Sequence, residues 1–366
     1  MNAHIVAACR SAVAPRGGAF AALSLHDLAA PVLLAALEQA GLDPAQVDEV
    51  IVSNALGEGG NPARRIALAA GLPETVAGLS TDRQCAGGLD ALHVARQMVL
   101  AGDVDVVVAG GVESYSRRPQ RLRTFVDTRE PEPYDQAPFT PWPERDPAMA
   151  QAAAALARSQ GIGRAAQDDW ALKSHAKAIA HPPPTGEIVT IAGLNADSFT
   201  RVLTPAHCAR APVITGSITA ANTAVAADAA AFCIVVSDKT LAGLSVPHAR
   251  LIASATLGHI PDQPGLSPLP AIANVLARSG VRAQDLSVAE VMEAYAVQAI
   301  ACVEGAGLDP ARVNLGGGAL ARGHPIGASG AINAVRLFHE ITARGGTGLA
   351  TIAAAGGIGS ALLLTA

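Results

Sequence analysis

Two segments of this 366-residue chain put reactive side chains where the backbone would assist them. The first is Asp82-Arg83-Gln84-Cys85-Ala86-Gly87-Gly88-Leu89, a cysteine at the expected start of a helix with two glycines close behind. Unpaired N–H groups and the helix dipole at such a place stabilise a thiolate, and the glycines leave room for a substrate. A lone cysteine is more often a buried structural one, so Cys85 by itself decides little. The second is the glycine-rich run from Asn314 to Gly330 (NLGGGALARGHPIGASG), where His324 stands between Gly323 and Pro325. The run reads as a tight loop leading into a helix after Ala328, and an imidazole on such a turn is a candidate base for a thiolate. A phosphate cradle is the rival reading. The spacing matches neither the P-loop nor the dinucleotide fingerprint, and no strand immediately precedes it.

The elements that must carry these residues alternate through the first third. Ile5 to Ala8 reads as a strand, and Leu28 to Ala40 as a helix with Asp27 as its N-cap and Gly41 as its stop. Val50 to Asn54 is a second strand, Gly87 to Ala101 a helix closed by Gly102, and Val104 to Ala109 a Val-rich strand. This rhythm predicts a mostly parallel sheet covered by helices and buried on both faces. From Arg117 the chain turns rich in Arg, Pro, Glu and Asp. Helices are expected over Met149–Gln160 and Ala165–Ile179, then the break Pro182-Pro183-Pro184 and irregular chain to about Asn222. This stretch reads as an inserted, loop-rich subdomain.

After Asp228 the α/β rhythm returns with a weak internal repeat. Ala35–Leu56 and Asn274–Tyr295 share one layout of helix, glycine, short loop and apolar strand, and Val106–Ser114 resembles Thr351–Ser360. The strand Ala361–Thr365 follows the second copy at once, whereas its counterpart Ala231–Ser237 comes only after the insertion. The expected fold class is therefore α/β with two duplicated halves. Residues 1–116 with 225–247 form the first, 117–224 the insertion, and 248–366 the second. A single doubly wound domain with a long excursion is the alternative.

Composition bounds the partners. Half of the residues are hydrophobic, 16% are charged, and aromatics are only 3%, so the core must be built from small side chains in close approach. A net charge of -5 without a basic block makes nucleic acid a poor partner. Five scattered cysteines without a Cys-x-x-Cys pair argue against a disulfide framework and a zinc site. With no secretory signal and no apolar run of roughly 18 residues, a soluble, cytoplasmic setting without a membrane is expected.

The quoted motifs carry a specific resemblance. Arg83–Ala91 is similar to the nucleophile segment of thiolases, Val107–Ser114 to the strand and turn that follow it, Gly317–Gly330 to their histidine loop, and Leu349–Gly359 to their final loop. The matches span the chain in family order. The resemblance implies duplicated halves layered α-β-α-β-α with an inserted loop domain that supplies much of the coenzyme A pocket. It implies that Cys85 takes an acyl group, that His324 activates it, and that the N–H groups of Cys85 and Ala355 form the oxyanion hole. Met149, Met292, Ala224 and Gly323 would line the substrate. No metal or redox cofactor is implied, and the acyl-CoA thioester is the substrate rather than a cofactor.

The sequence also departs from that pattern. Ala353 stands where the family's final loop has a second, proton-transferring cysteine, and Met292-Glu293-Ala294-Tyr295 replaces Asn-Glu-Ala-Phe, removing the amide that positions a water for the second thioester. Ala148 and Ala224 replace a histidine and a serine at the pocket, and Asp82 stands where asparagine is usual. Acylation of Cys85 needs none of the missing groups. Condensation needs them, and losing a general base typically costs roughly 10²–10⁴ in rate, an oxyanion donor about 10²–10³. The expectation is a thiolase-like acyltransferase with an altered second half-reaction and Glu293 or His324 as remaining proton carriers. A functioning acetyl-CoA acetyltransferase or 3-ketoacyl-CoA thiolase, and an inactive acyl-CoA-binding subunit, are the alternatives. The insertion is short where the family carries a tetramer-forming loop, which favours a homodimer over a higher oligomer. The remaining residues read more plainly. Cys9, Cys233 and Cys302 are core, Trp142 and Trp170 packing anchors, and Arg117, Arg118, Arg121 and Arg123 either hold phosphates or line a solvated surface.

Overall fold

The computed structural model describes residues 2–57 and 59–366. Small apolar side chains at alternating positions build strands that bury both faces. The first half runs β1 (Ala3–Ser11), α1 (Leu25–Ala40), β2 (Glu49–Ser53), α2 (Pro62–Ala69), β3 (Leu79–Thr81), α3 (Gly87–Ala101) and β4 (Val106–Ser114). The insertion holds α4 (Met149–Ser159) and α5 (Arg164–Ala180), and β5 (Ala227–Ser237) then completes the half. The second half runs β6 (Ala249–Gly258), α6 (Pro268–Ser279), β7 (Val288–Val291), α7 (Ala296–Gly305), α8 (Ile326–Arg344), β8 (Thr347–Ala354) and β9 (Ile358–Thr365).

The duplication is written in the strand order β7-β8-β9-β6-β1-β5-β4-β2-β3. Outward from the β6/β1 junction, each half repeats one sequence of pairings: antiparallel, antiparallel, then parallel. The sheet is therefore mixed, not mostly parallel as the βαβ rhythm suggested. The turn between Ala354 and Ile358 is too short for a crossover helix, so β9 must return antiparallel to β8. Matched local devices recur as well. Gly41 (φ 66°) and Gly280 (φ 71°) end α1 and α6 in the left-handed region, and a single 3₁₀ turn precedes the next strand in each copy.

The helices occupy three layers. One apolar cluster packs α1 and α2 on one face of the first half, and a second packs α6 and α7 on the outer face of the other. Between the two halves of the sheet lie α3 and α8, and α8 is buried without interruption from Gly327 to Phe338. Helix α1 starts a turn earlier than the apolar pattern indicated. Ser24 is its N-cap and Asp27 the third residue of a reciprocal capping box, so Asp27 supports the cap instead of forming it.

The insertion is less loose than its composition suggested. Residues Arg121–Arg123 and Glu132–Tyr134 form a small antiparallel ribbon, and Ile188–Val189 pairs with β1. A buried charge cluster ties it inward. Arg10 Nε bonds Glu187 Oε1 at 2.7 Å, Arg10 Nη1 bonds Asp197 Oδ1 at 2.7 Å, and Arg336 Nη1 of α8 reaches Glu187 Oε2 at 2.5 Å. Burial alone would raise the Glu187 carboxyl, yet Arg10 and Arg336 more than offset it and hold it down at about 2. Cys9, Cys233 and Cys302 are core residues. Trp142 is an exception to its expected packing role, half exposed with the Arg145 guanidinium 5.3 Å from its ring.

Candidate active site

Cys85 and His324 each lie two residues ahead of a central helix, α3 and α8 respectively. Their meeting is fixed by how those helices cross. A Cβ on Gly88 would come within 2.6 Å of Ala331 N, and one on Gly330 within 2.5 Å of Leu89 N. These glycines thus make room for the partner helix. The expectation that Gly87 and Gly88 leave space for substrate is corrected: a Cβ on Gly87 would run into the Ser53 side chain, and one on Gly88 into α8.

The approach to each residue is equally constrained. Gln84 holds a left-handed φ of 49°, and its N–H donates to Asp82 Oδ1 at 2.9 Å, which turns the chain sharply into Cys85. On the other side Gly323 adopts φ 119°, a conformation closed to residues with a Cβ, and His324 N–H then donates to Val225 O at 2.7 Å. The buried Glu113 of β4 ties the chain that follows β2 to the start of α8. Its carboxylate accepts from Asn54 Nδ2 at 2.8 Å, Ala55 N at 3.1 Å, Leu56 N at 3.2 Å and Gly327 N at 2.9 Å. Burial pushes Glu113 up to about 7, against the pull of those N–H groups.

The reacting geometry follows. His324 Nε2 lies 3.2 Å from Cys85 Sγ, and His324 Nδ1 lies 2.6 Å from Ser329 Oγ. Burial pushes the Cys85 thiol up to about 12, although the backbone N–H groups of Cys85 and Ala355 at the sulfur pull the other way. Burial also lowers the His324 imidazole to about 4. The resting pair is thus a neutral thiol beside a neutral imidazole. The expected thiolate-stabilising helix start is present, but desolvation outweighs it.

Both residues line a cavity of about 500 Å³, together with Ala355, Met149 and Ala224 from the expected set. Ala353 lies in its wall as well, as do Arg118 and Arg121, whereas Arg117 and Arg123 do not. Three expected residues are elsewhere. Met292 is 1% exposed in the core between the layers, and Gly323 lies where an added Cβ would come within 2.8 Å of Ala227 Cβ. Glu293 is 1% exposed and its carboxylate is filled by four donors: Trp170 Nε1 at 3.0 Å, Ser174 Oγ at 2.7 Å, Asn314 Nδ2 at 2.8 Å and Leu320 N at 3.2 Å. Its carboxylate fastens α5 to the histidine loop and does not line the cavity, and Trp170 is one of the residues packed there.

Sequence reasoning missed four residues. Ser329 orients the imidazole, and Glu113 holds the floor; a lone carboxylate in the apolar strand VVVAGGVES was the available signal for the latter. Tyr115 and Tyr295 both line the cavity, and among the described residues neither hydroxyl has a hydrogen-bond partner.

Comparison with known proteins now bears on this geometry. The model of the thiolase N-terminal domain matches residues 3–239, and that of the thiolase C-terminal domain matches residues 245–366. The chain belongs to the thiolase family. It is 35% identical over 378 residues to a Staphylococcus aureus (strain MRSA252) protein named "Putative acetyl-CoA C-acetyltransferase VraB", covering 100% of this chain and 99% of that one. YhfS of Bacillus subtilis (strain 168), which carries the same description, is 38% identical over 375 residues, 99% of each chain. Among solved structures, a Bacillus anthracis acetyl-CoA acetyltransferase superposes with a TM-score of 0.91 at 32% identity, covering 100% of this chain and 98% of that one. Human mitochondrial 3-ketoacyl-CoA thiolase gives 0.92 at 28% with the same coverage. Among the described residues of this thiolase-family chain, no helix is long and apolar enough to cross a membrane.

Proposed function

We propose that this protein is an acyltransferase that takes acyl groups from coenzyme A thioesters through an acyl-Cys85 intermediate and has an altered second half-reaction. The observation that carries the reading is the 3.2 Å contact of Cys85 Sγ with His324 Nε2 on the cavity wall. His324 Nε2 accepts the thiol proton as Sγ attacks the thioester carbon. The carbonyl oxygen becomes an oxyanion received by the N–H groups of Cys85 and Ala355. The bond to the coenzyme A sulfur then breaks, and the proton on Nε2 passes to the leaving thiolate. Free coenzyme A and acyl-Cys85 result, with the imidazole neutral again.

The second half-reaction is the one proposed to differ. Ala353 and Met292 stand where the resemblance puts a cysteine and an asparagine. A methyl group transfers no proton, and the Met292 thioether is a weak acceptor in the core. With Glu293 saturated, His324 is the base in contact with Cys85 Sγ. The phenols are donors instead: burial pushes Tyr295 up to about 12 and raises Tyr115 as well, so both keep their protons. The acceptors that fit are those asking little of a base, such as a thiol or a donor activated by decarboxylation. The proposed assembly is a homodimer, because the insertion is short.

A functioning acetyl-CoA acetyltransferase is the second reading, favoured by the full-length likeness to VraB and YhfS. Intact-protein mass spectrometry after exposure to acetyl-CoA and longer acyl-CoAs tests acylation, with Cys85→Ala as control and a chase with free coenzyme A. A reversible mass gain that needs Cys85 is expected. Its absence with every thioester would overturn the reading and leave a binding subunit.

A further inference from the structure

A second cavity of about 470 Å³ adjoins the one that holds Cys85, and the two share Leu56, Tyr115, Arg118, Arg121 and Asp135 in their walls. Their charges do not cancel. The second cavity is faced by three cations, Arg16, Arg118 and Arg121, against one carboxylate, Asp135. Asp135 is spent on Arg118, with Oδ1 2.9 Å from Nη2, and Asp262 in the Cys85 cavity is paired with Arg145 at 3.4 Å. Arg121 has no carboxylate partner among the described residues. Its Nη2 donates to the Ala55 carbonyl at 3.0 Å, and most of its fork of donors is left for something else.

The location of Arg121 narrows what that something is. Ala55 and Leu56 are fastened through their N–H groups to Glu113, whose charge is felt at Cys85 and which also holds Gly327 just past His324. Arg121 therefore lines the cavity that holds Cys85 and His324, and is anchored through Ala55 and Glu113 to the segment just past His324. The phosphates of coenzyme A lie a long pantetheine arm away from the thioester. An anion here is better supplied by the acyl chain itself.

We propose that Arg121, with Arg118 and Arg16 beside it, receives an anionic group at the far end of the acyl chain, so that the preferred substrates are coenzyme A thioesters of dicarboxylic acids. A planar guanidinium and a carboxylate meet through paired, charge-assisted hydrogen bonds, which gives both affinity and a fixed chain direction. The inference rests on the acyl-Cys85 reading and names its substrate class.

The test compares Cys85 labelling rates, read by intact mass, for succinyl-, glutaryl- and adipyl-CoA against butanoyl-, pentanoyl- and hexanoyl-CoA. Wild-type protein is expected to favour at least one charged acyl group over its neutral counterpart. In Arg121→Gln that ratio is expected to fall on the order of 10- to 100-fold, the usual worth of a charge-assisted bond. Arg121→Lys is expected to recover part of it and to make the remainder sensitive to salt. A wild-type ratio near one for every chain length overturns the inference while leaving acyl transfer intact. So does an Arg121→Gln variant that slows both classes equally, since that assigns the arginine to coenzyme A or to the loop. If no thioester labels Cys85, the acyl-Cys85 reading itself has failed and this inference falls with it.

Discussion

Ser329 Oγ lies 2.6 Å from His324 Nδ1 and 2.9 Å from the Pro325 carbonyl oxygen. The carbonyl accepts only, so the hydroxyl proton goes to Pro325 and the Ser329 oxygen must accept from Nδ1–H. That assigns the neutral tautomer and leaves the Nε2 lone pair aimed at the Cys85 thiol. Ser329→Ala is expected to slow acylation roughly 10- to 100-fold, less than the roughly 10²–10⁴-fold loss for a removed base. Single-turnover labelling with acetyl-CoA measures it, and an unchanged rate would show that the tautomer needs no such partner.

The neutral resting pair makes a prediction about pH. The thiol is raised to about 12 and the imidazole lowered to about 4, so neither group changes protonation between those values in the free protein. Iodoacetamide should alkylate Cys85 slowly near neutrality, and faster as pH rises toward 12. Acylation by acyl-CoA uses the neutral imidazole as base and is lost only as pH falls through about 4, where the imidazole becomes charged. A flat, fast alkylation rate from pH 6 to 9 would instead reveal a preformed thiolate–imidazolium pair.

The helix crossing predicts a separable structural effect. Gly330→Ala places a methyl group against the Leu89 backbone, where neither helix can yield without moving its start. Overpacking of this kind typically costs about 1–3 kcal/mol. Acylation should fall as well, because Cys85 and His324 ride on the two helices that are pushed apart. Thermal unfolding and Cys85 labelling together check it. A variant of lowered stability with unchanged labelling would mean that the dyad is held by its loops alone.

How much of this was legible in the residues depends on the reach of each interaction. Helices α3 to α5, the repeat, and the pairing of Cys85 with His324 came from local periodicity and from motif resemblance, both of which are written contiguously. The antiparallel returns were misjudged, because strand direction depends on which strand lies beside which. Ser329 stood inside a quoted motif, five residues from His324, but its role appears only once the first turn of α8 brings its hydroxyl under the ring. Arg10, Glu187 and Arg336 gave no signal at all. Each is an ordinary surface-type residue until Arg10 and Arg336, 177 and 149 residues away in the chain, close on Glu187.

That cluster predicts a pH-dependent stability. The Glu187 carboxyl is held at about 2 in the folded protein against an ordinary value of 4.5, so the charged form stabilises the fold. Its contribution is fully present above about pH 4.5 and is lost as pH falls through about 2. Glu187→Gln leaves two buried guanidinium groups short of their shared counter-charge and should cost about 3–5 kcal/mol near neutrality. The gap between variant and wild type should shrink as unfolding is measured from pH 5 down to 2. A gap independent of pH would place the loss in packing instead.

Glu293 provides the sharpest contrast between a catalytic and a structural carboxylate. Four donors converge on it from Trp170, Ser174, Asn314 and Leu320, so a glutamine in its place must turn an NH₂ group toward one pair of them. Leaving buried donors unsatisfied costs about 1–3 kcal/mol. Glu293→Gln should accordingly unfold at lower temperature, yet its folded fraction should acylate Cys85 and pass the acyl group on at rates close to wild type. Labelling and chase, measured well below the unfolding transition, separate the two roles. Normal acylation with a chase slowed roughly 10²-fold or more would return Glu293 to the chemistry. Two normal rates with a lowered melting temperature leave His324 as the proton carrier.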